Sequence, residues 1–320
     1  MSSRKQQGIT LVELMVALAI GSFLMVGAIQ IYNQSRQAFV INESIARVQE
    51  TAQFAMDIVE SDIRMASNWG RTSRSLAIEG RAIIGDDNPN SITVPTGCGE
   101  AWVLDLATPI DGADNTYNLT CAATGTAQAN SDVITVRRAS VAPAALQANR
   151  LQVQTTRIQG ELFTDGSVPA AYDPTASATH NLMVTSYYVA TDSQLIPGTP
   201  ALRRKTLAMV AGAQTIIDQE VAPGVENIQI QLGVDTNEDN TVDRYVDPGS
   251  AIYDPTAVGY IPGARIITAR IWMVLRGTTI EPGIQDNVDY EPGDVDLGVP
   301  NDQFRRMMVS KTILLRNART

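Results

Sequence analysis

Three groups of residues in this 320-residue chain have types and spacing that could do chemistry. The first is a single acid. In QQGITLVELMVALAIGSFLMVGAIQIY, residues 6–32, Glu13 is the one charged side chain of an apolar run, with Gly8 five residues before it and Arg4 and Lys5 ahead of that. A carboxylate ionised at membrane depth costs on the order of 2.5–3.5 kcal/mol, so it needs a partner or a role. The span holds no Lys, Arg or His. Cutting the chain after Gly8 would create an α-ammonium on Ile9, four residues upstream, and that amine on the same helix or a neighbouring one would neutralise Glu13.

The second group is Asp235-Thr236-Asn237-Glu238-Asp239-Asn240-Thr241-Val242-Asp243. Oxygen side chains at alternate positions of a tight loop can converge on a hard cation, so Asp235, Asn237, Asp239 and Asp243, with the Thr241 carbonyl, form a candidate Ca²⁺ site. It is not an EF-hand, because Asn240 stands where the turn glycine belongs and the last ligand comes at the ninth position. The alternative is an acidic, Asn-rich hairpin tip, for which the same residues are favoured. The third group is the cysteine pair, Cys98 and Cys121, which form a disulfide in an oxidising compartment or stay as two buried thiols in a reducing one. No zinc spacing, Gly-rich phosphate loop or nucleophile motif is present, and the lone His180, among Thr and Asn with no partner nearby in sequence, reads as an exposed and non-catalytic loop residue.

The elements that must position these groups follow from the hydropathy pattern. Residues 9–32 suffice to cross a bilayer core of roughly 30 Å as one helix. The basic pair before it puts the leader in the cytoplasm and everything after about Tyr32 on the other side. Apolar or small residues then recur at Ile41, Ile45, Val48, Ala52, Ala55, Val59, Ile63 and Ala66, steps of three and four that continue the helix to about Ser67. At 1.5 Å per residue it would extend roughly 85–90 Å. After Trp69-Gly70 the pattern changes to short β-rich runs: Ser91–Val94, Ala101–Leu106, Asp132–Arg138, Leu151–Thr155, Leu182–Ala190, Ala201–Val210, Asn227–Val234, Ile266–Leu275 and Met307–Arg316. In ENIQIQLGV, Ile228, Ile230 and Leu232 share one face. The expected organisation is a leader (1–8), a membrane half (9–32) and an outer half (33–68) of one helix, and a β-rich head (69–320). Trp69, Trp102 and Trp272 read as core anchors, and the Arg203-Arg204-Lys205, Arg137-Arg138 and Arg305-Arg306 clusters as partners of internal carboxylates or solvated faces. A net charge of −10 disfavours nucleic acid as a partner.

The leader and the run Gly8-Ile9-Thr10-Leu11-Val12-Glu13-Leu14 resemble the type IV prepilin signal. That resemblance implies cleavage by a prepilin peptidase between Gly8 and Ile9, N-methylation of Ile9, and a role for Glu13 in neutralising the amino terminus of an adjoining subunit during assembly. The stem ARVQETAQFAMDIVESDIRMASNWG, the hairpin VENIQIQLGVDTNEDNTVDRYVD, the strand RIITARIWMVLRG and the ending RRMMVSKTILLRN are similar to the PilW-type minor pilins, relatives of the J-type minor pseudopilin of type II secretion. The implied fold is α+β, a long helix packed on an antiparallel β-rich head. The implied protein is not an enzyme. It is an inner-membrane subunit with a periplasmic head that helps prime a type IV pilus and joins its tip, with other minor pilins, a tip adhesin and the major pilin as partners. A pseudopilin of secretion, or a calcium-tuned tip binding module, is the alternative. A periplasmic head makes Cys98–Cys121 an expected disulfide.

Overall fold

The structure is a computed structural model that describes residues 9–80, 92, 98, 100–281 and 283–318, so Gly8, with the rest of the leader, and most of the expected strand Ser91–Val94 lie outside the described residues. The chain divides into two compact units, Met1–Arg47 and Val48–Thr320.

One α-helix, α1 (Leu11–Arg64), begins in the first unit, where every described residue is exposed or half-exposed. Its last turns belong to the second unit and are amphipathic: Val48, Ala52, Ala55, Met56, Val59 and Ile63 are buried at steps of three and four. The helix stops at Arg64, three residues before the expected end, and Ser67 takes a left-handed φ of 64° in the turn that follows.

The second unit holds two sheets. The smaller is antiparallel throughout, in the order β10 (Arg244–Val246), β9 (Val225–Asp235), β11 (Arg265–Arg276), β12 (Arg306–Leu314). Alternation in β9 sends Ile228, Ile230, Leu232 and Val234 to the face that packs with α1, Ile271, Met273 and Ile313. The larger sheet runs β1 (Ile78–Glu79), β5 (Gly160–Phe163), β4 (Gln152–Thr155), β6 (Ala178–Ala190), β3 (Val133–Ala139), β2 (Ile110–Ala113), with β7 (Ala201–Val210) also on β6 and β8 (Ala213–Pro223) on β7. Trp69, fully buried, anchors a second core with Ile78, Leu104, Leu151, Val153 and Val184.

Two expectations are corrected. Ala101–Leu106 is not a strand: a short helix, α2 (Glu100–Leu104), stands there. Val103, Leu104 and Leu106 are all fully buried, and the adjacent pair cannot share one face of a strand, whereas a helical turn can sink both. His180 is not an exposed loop residue. Strand β6 starts at Ala178 rather than Leu182, pairs His180 with Val153 of β4, and leaves the ring 4% exposed with Nδ1 2.8 Å from the Ser140 carbonyl. Gly70, at φ 90°, leaves room for that ring, since a Cβ there would lie 2.4 Å from the imidazole. Strand β8 was not anticipated. It folds back on β7 through Ala211 (φ 49°) and Gly212 (φ 81°), a two-residue turn with both central residues left-handed.

Buried acids tie these layers together. Asp62 near the end of α1 accepts bonds from Arg138 Nη2 of β3 (2.9 Å) and the Tyr187 hydroxyl of β6 (2.6 Å), both in the larger sheet. Two residues earlier, Glu60 is paired with Lys311 of β12, in the smaller sheet. The sheets also meet at Asp132, which precedes β3. Its N–H donates to the Ile228 carbonyl of β9 (2.9 Å), and its carboxylate accepts N–H bonds from Ile230 (2.7 Å) and Asn115 (2.8 Å).

Burial pushes the Asp132 carboxyl up to about 7, more than its two N–H bonds lower it, and the charges of Asp114 and Asp294 add to the rise. Between about pH 4 and pH 7 the folded chain therefore keeps a proton that the unfolded chain releases, so stability falls as pH rises through that window and levels off above it. Denaturant unfolding of the detergent-solubilised chain should show the β-rich unit less stable at pH 8 than at pH 5, by on the order of 2 kcal/mol.

Candidate functional site

Glu13 sits in the first turn of α1. The Thr10 N–H (3.0 Å) and hydroxyl (2.9 Å) both donate to Glu13 Oε2, and the Glu13 N–H lies 3.3 Å from Thr10 Oγ1 as donor. This reciprocal arrangement is a capping box, which satisfies two of the helix's orphan N–H groups. Thr10 is the functional residue that the sequence reading passed over. Its signal was present, since Thr10-Leu11-Val12-Glu13 has the T-x-x-E spacing of that motif. Ile9 is described and exposed, whereas the other side of the expected cleavage point, Gly8, lies outside the described residues. From Leu11 to Tyr32 the large apolar side chains are exposed, Phe23 by 80%, and the helix is long and apolar enough to cross a membrane.

The 235–243 loop connects β9 to β10 and closes on its own hydrogen bonds. Asp243 Oδ2 accepts from the Thr236 N–H (2.7 Å) and hydroxyl (2.6 Å), and Asp239 Oδ1 accepts from the Thr241 N–H and hydroxyl. Asp235 is fully buried, where it accepts from the Asn240 N–H (2.9 Å) and from Arg265 Nη2 (3.1 Å). Burial works to raise the Asp235 carboxyl, but these donors outweigh it and hold it below its usual value. The Thr241 hydroxyl and N–H do the same for Asp239. Asn237 donates weakly to Asp243 Oδ1 (3.5 Å) and accepts from the Asp239 N–H. A divalent cation entering the loop would have to exchange for these donors.

Sequence distance hid a second acidic group. Asp114, Asp247 and Asp294 bring carboxylate oxygens within 4.8 Å of one another, and the Asn115 amide donates to both Asp114 (2.8 Å) and Asp294 (3.0 Å). Cys98 and Cys121 form a disulfide with Cα atoms 4.4 Å apart. The basic clusters pair internally: Arg203 and Lys205 with Asp218, Arg138 with Asp62, Arg305 with Glu281, and Arg306 with Glu226 and Asp302.

Residues 186–317, from β6 through the end of β12, match the family described as Type IV Pilus-assembly protein W. Residues 3–29 match the prokaryotic N-terminal methylation motif. The chain thus carries a PilW-type region behind a prokaryotic N-terminal methylation motif. The PilW region thus covers β7, β8 and the whole smaller sheet, and the methylation motif covers Glu13 and its cap. No curated protein matches the chain. Among solved structures, a type IV-like pilin from Thermus thermophilus is similar at 13% identity over 66% of this chain and 84% of that one, with a TM-score of 0.29.

Replacing Thr10 with Val removes one donor to Glu13 and the acceptor of its N–H, a loss of about 1 kcal/mol at a helix start. Amide exchange of the detergent-solubilised chain should then quicken about fivefold at Glu13 and Leu14, while Thr10→Ser should leave it near the wild-type rate.

Proposed function

We propose that this chain is a minor pilin that helps prime type IV pilus assembly and takes its place in the tip complex, a structural and not an enzymatic role. The observation that carries the reading is one chain holding both an N-terminal methylation motif around a capped Glu13 and a PilW region at residues 186–317. In this reading a prepilin peptidase cuts between Gly8 and Ile9, Ile9 is methylated, and the 9–32 half of the helix stays in the inner membrane with its outer half and the β-rich unit in the periplasm. The disulfide Cys98–Cys121 supports an oxidising location. Glu13 then offers its carboxylate to the ammonium of a neighbouring subunit. Thr10 already donates to the acid in the unassembled chain, and the ammonium adds the opposite charge that those neutral donors lack.

Mass spectrometry of the native chain should give an N-terminus at methylated Ile9. Gly8→Glu should leave the leader attached, and Glu13→Gln should be processed yet fail to restore pili in a deletion strain. An unprocessed wild-type chain, or normal piliation with Glu13→Gln, would sink the proposal. Calcium in the 235–243 loop belongs to it as well, supported by oxygen-bearing side chains at Asp235, Asn237, Asp239 and Asp243 and the carbonyl of Thr241. Calorimetric titration with Ca²⁺ should give a binding isotherm that Asp239→Ala erases; an isotherm indifferent to that change removes the cation.

A further inference from the structure

Proteins blunt the outer strands of their sheets with short length, bulges, prolines or charges turned inward, because a regular free edge is a template for another strand. Most edges of this chain follow that rule. Strand β10 has 3 residues, β2 has 4, and β8 carries a register shift opposite β7 and ends on Pro223. Strand β12 does not. It runs 9 residues beside β11 in an unbroken register from Arg306–Arg276 to Leu314–Thr268, with no proline in it.

The register also shows which backbone groups are free. The Leu315 N–H bonds the Ile267 carbonyl (2.9 Å) and the Gly277 N–H bonds the Arg305 carbonyl (2.7 Å), so in this ladder the odd-numbered residues of β12 face β11. By antiparallel alternation Arg306, Met308, Ser310, Thr312 and Leu314 turn both N–H and C=O outward. Among the described residues none of these outward groups has a partner. The side chains do not guard the edge either: Met308 and Leu314 are 43% and 38% exposed, and Lys311 reaches across to Glu60 of α1.

Beside this edge lies a groove of about 240 Å³ between β12 and the part of α1 within the second unit. Met56, Met307 and Val309 give it an apolar wall, and Gln53 and Asp57 of α1 line its other side. Asp57 is exposed and forms no ion pair among the described residues. A strand laid on β12 would send every second side chain toward this groove, and the others to the opposite face.

We propose that the free edge of β12 docks an extended segment of a partner protein as a fifth strand of the smaller sheet. The segment presents apolar side chains to the groove at alternate positions and one Lys or Arg to Asp57. Main-chain bonds from five outward-facing residues supply the affinity, and the groove supplies the selectivity.

The test uses the full chain in detergent with the acetylated, amidated heptapeptide TVTKTVT, whose even positions form the groove face, and with TVTETVT as its charge-reversed partner. Hydrogen exchange should show the lysine peptide protecting the amides of Met308, Ser310 and Thr312 while leaving Val309 and Lys311, already in the ladder, unchanged. Ser310→Pro removes an outward N–H and no ladder bond, so it should abolish binding in a chain that still folds. Asp57→Lys should weaken the lysine peptide at least about threefold and favour the glutamate peptide. Should the proline variant misfold, a lysine peptide N-methylated at its odd positions and another at its even positions replace it: one of the two must fail to bind the wild-type chain. Absence of saturable binding, binding that survives Ser310→Pro, or indifference to both the charge swap and N-methylation overturns the proposal. A peptide-free dimer that Ser310→Pro dissolves would overturn it too, assigning the edge to a second copy.

Discussion

Two carboxylates one turn from the end of α1 hold the β-rich unit together. Glu60 and Asp62 point to different sides of the helix, so one reaches β12 of the smaller sheet and the other reaches β3 and β6 of the larger. Taking an acid out of water is costly unless its oxygens find donors, and Asp62 has an arginine and a tyrosine while Glu60 has Lys311 and Arg64. The apolar stripe from Val48 to Ile63 fixes how the helix rolls, and with that roll both acids fall onto their partners. The pairs without the packing would be solvent-exposed and weak.

Asp132 is the complementary constraint, placed where the two sheets meet. Its carboxylate replaces a missing strand partner for Ile230, since β10 pairs only with the Leu232–Val234 end of β9. A backbone amide that neither neighbouring strand can reach is thus satisfied by a side chain from the other sheet. The cost is a buried acid close to Asp114 and Asp294, which explains why its proton is held so tightly.

How much of this was legible beforehand depended on whether the deciding contact was local. The long apolar N-terminal helix, the continuation of its apolar stripe and the face shared by Ile228, Ile230 and Leu232 follow from the hydropathy pattern, and all are present. The disulfide was legible once the chain was read as crossing a membrane, because compartment rather than spacing decides it. His180 was misplaced because its burial comes from pairing with Val153, a contact that no local pattern encodes. Consecutive apolar residues in Trp102-Val103-Leu104 suited strand and helix equally, and the helix won by burying neighbours together. The three-aspartate group at 114, 247 and 294 had no sequence signature at all, since the topology alone assembles it.

The sulfur bridge between Cys98 and Cys121 has a practical corollary for anyone handling this molecule. A protease that clips the polypeptide between those two positions would leave both fragments covalently joined. Electrophoresis without reductant would then report an intact band from a cut sample.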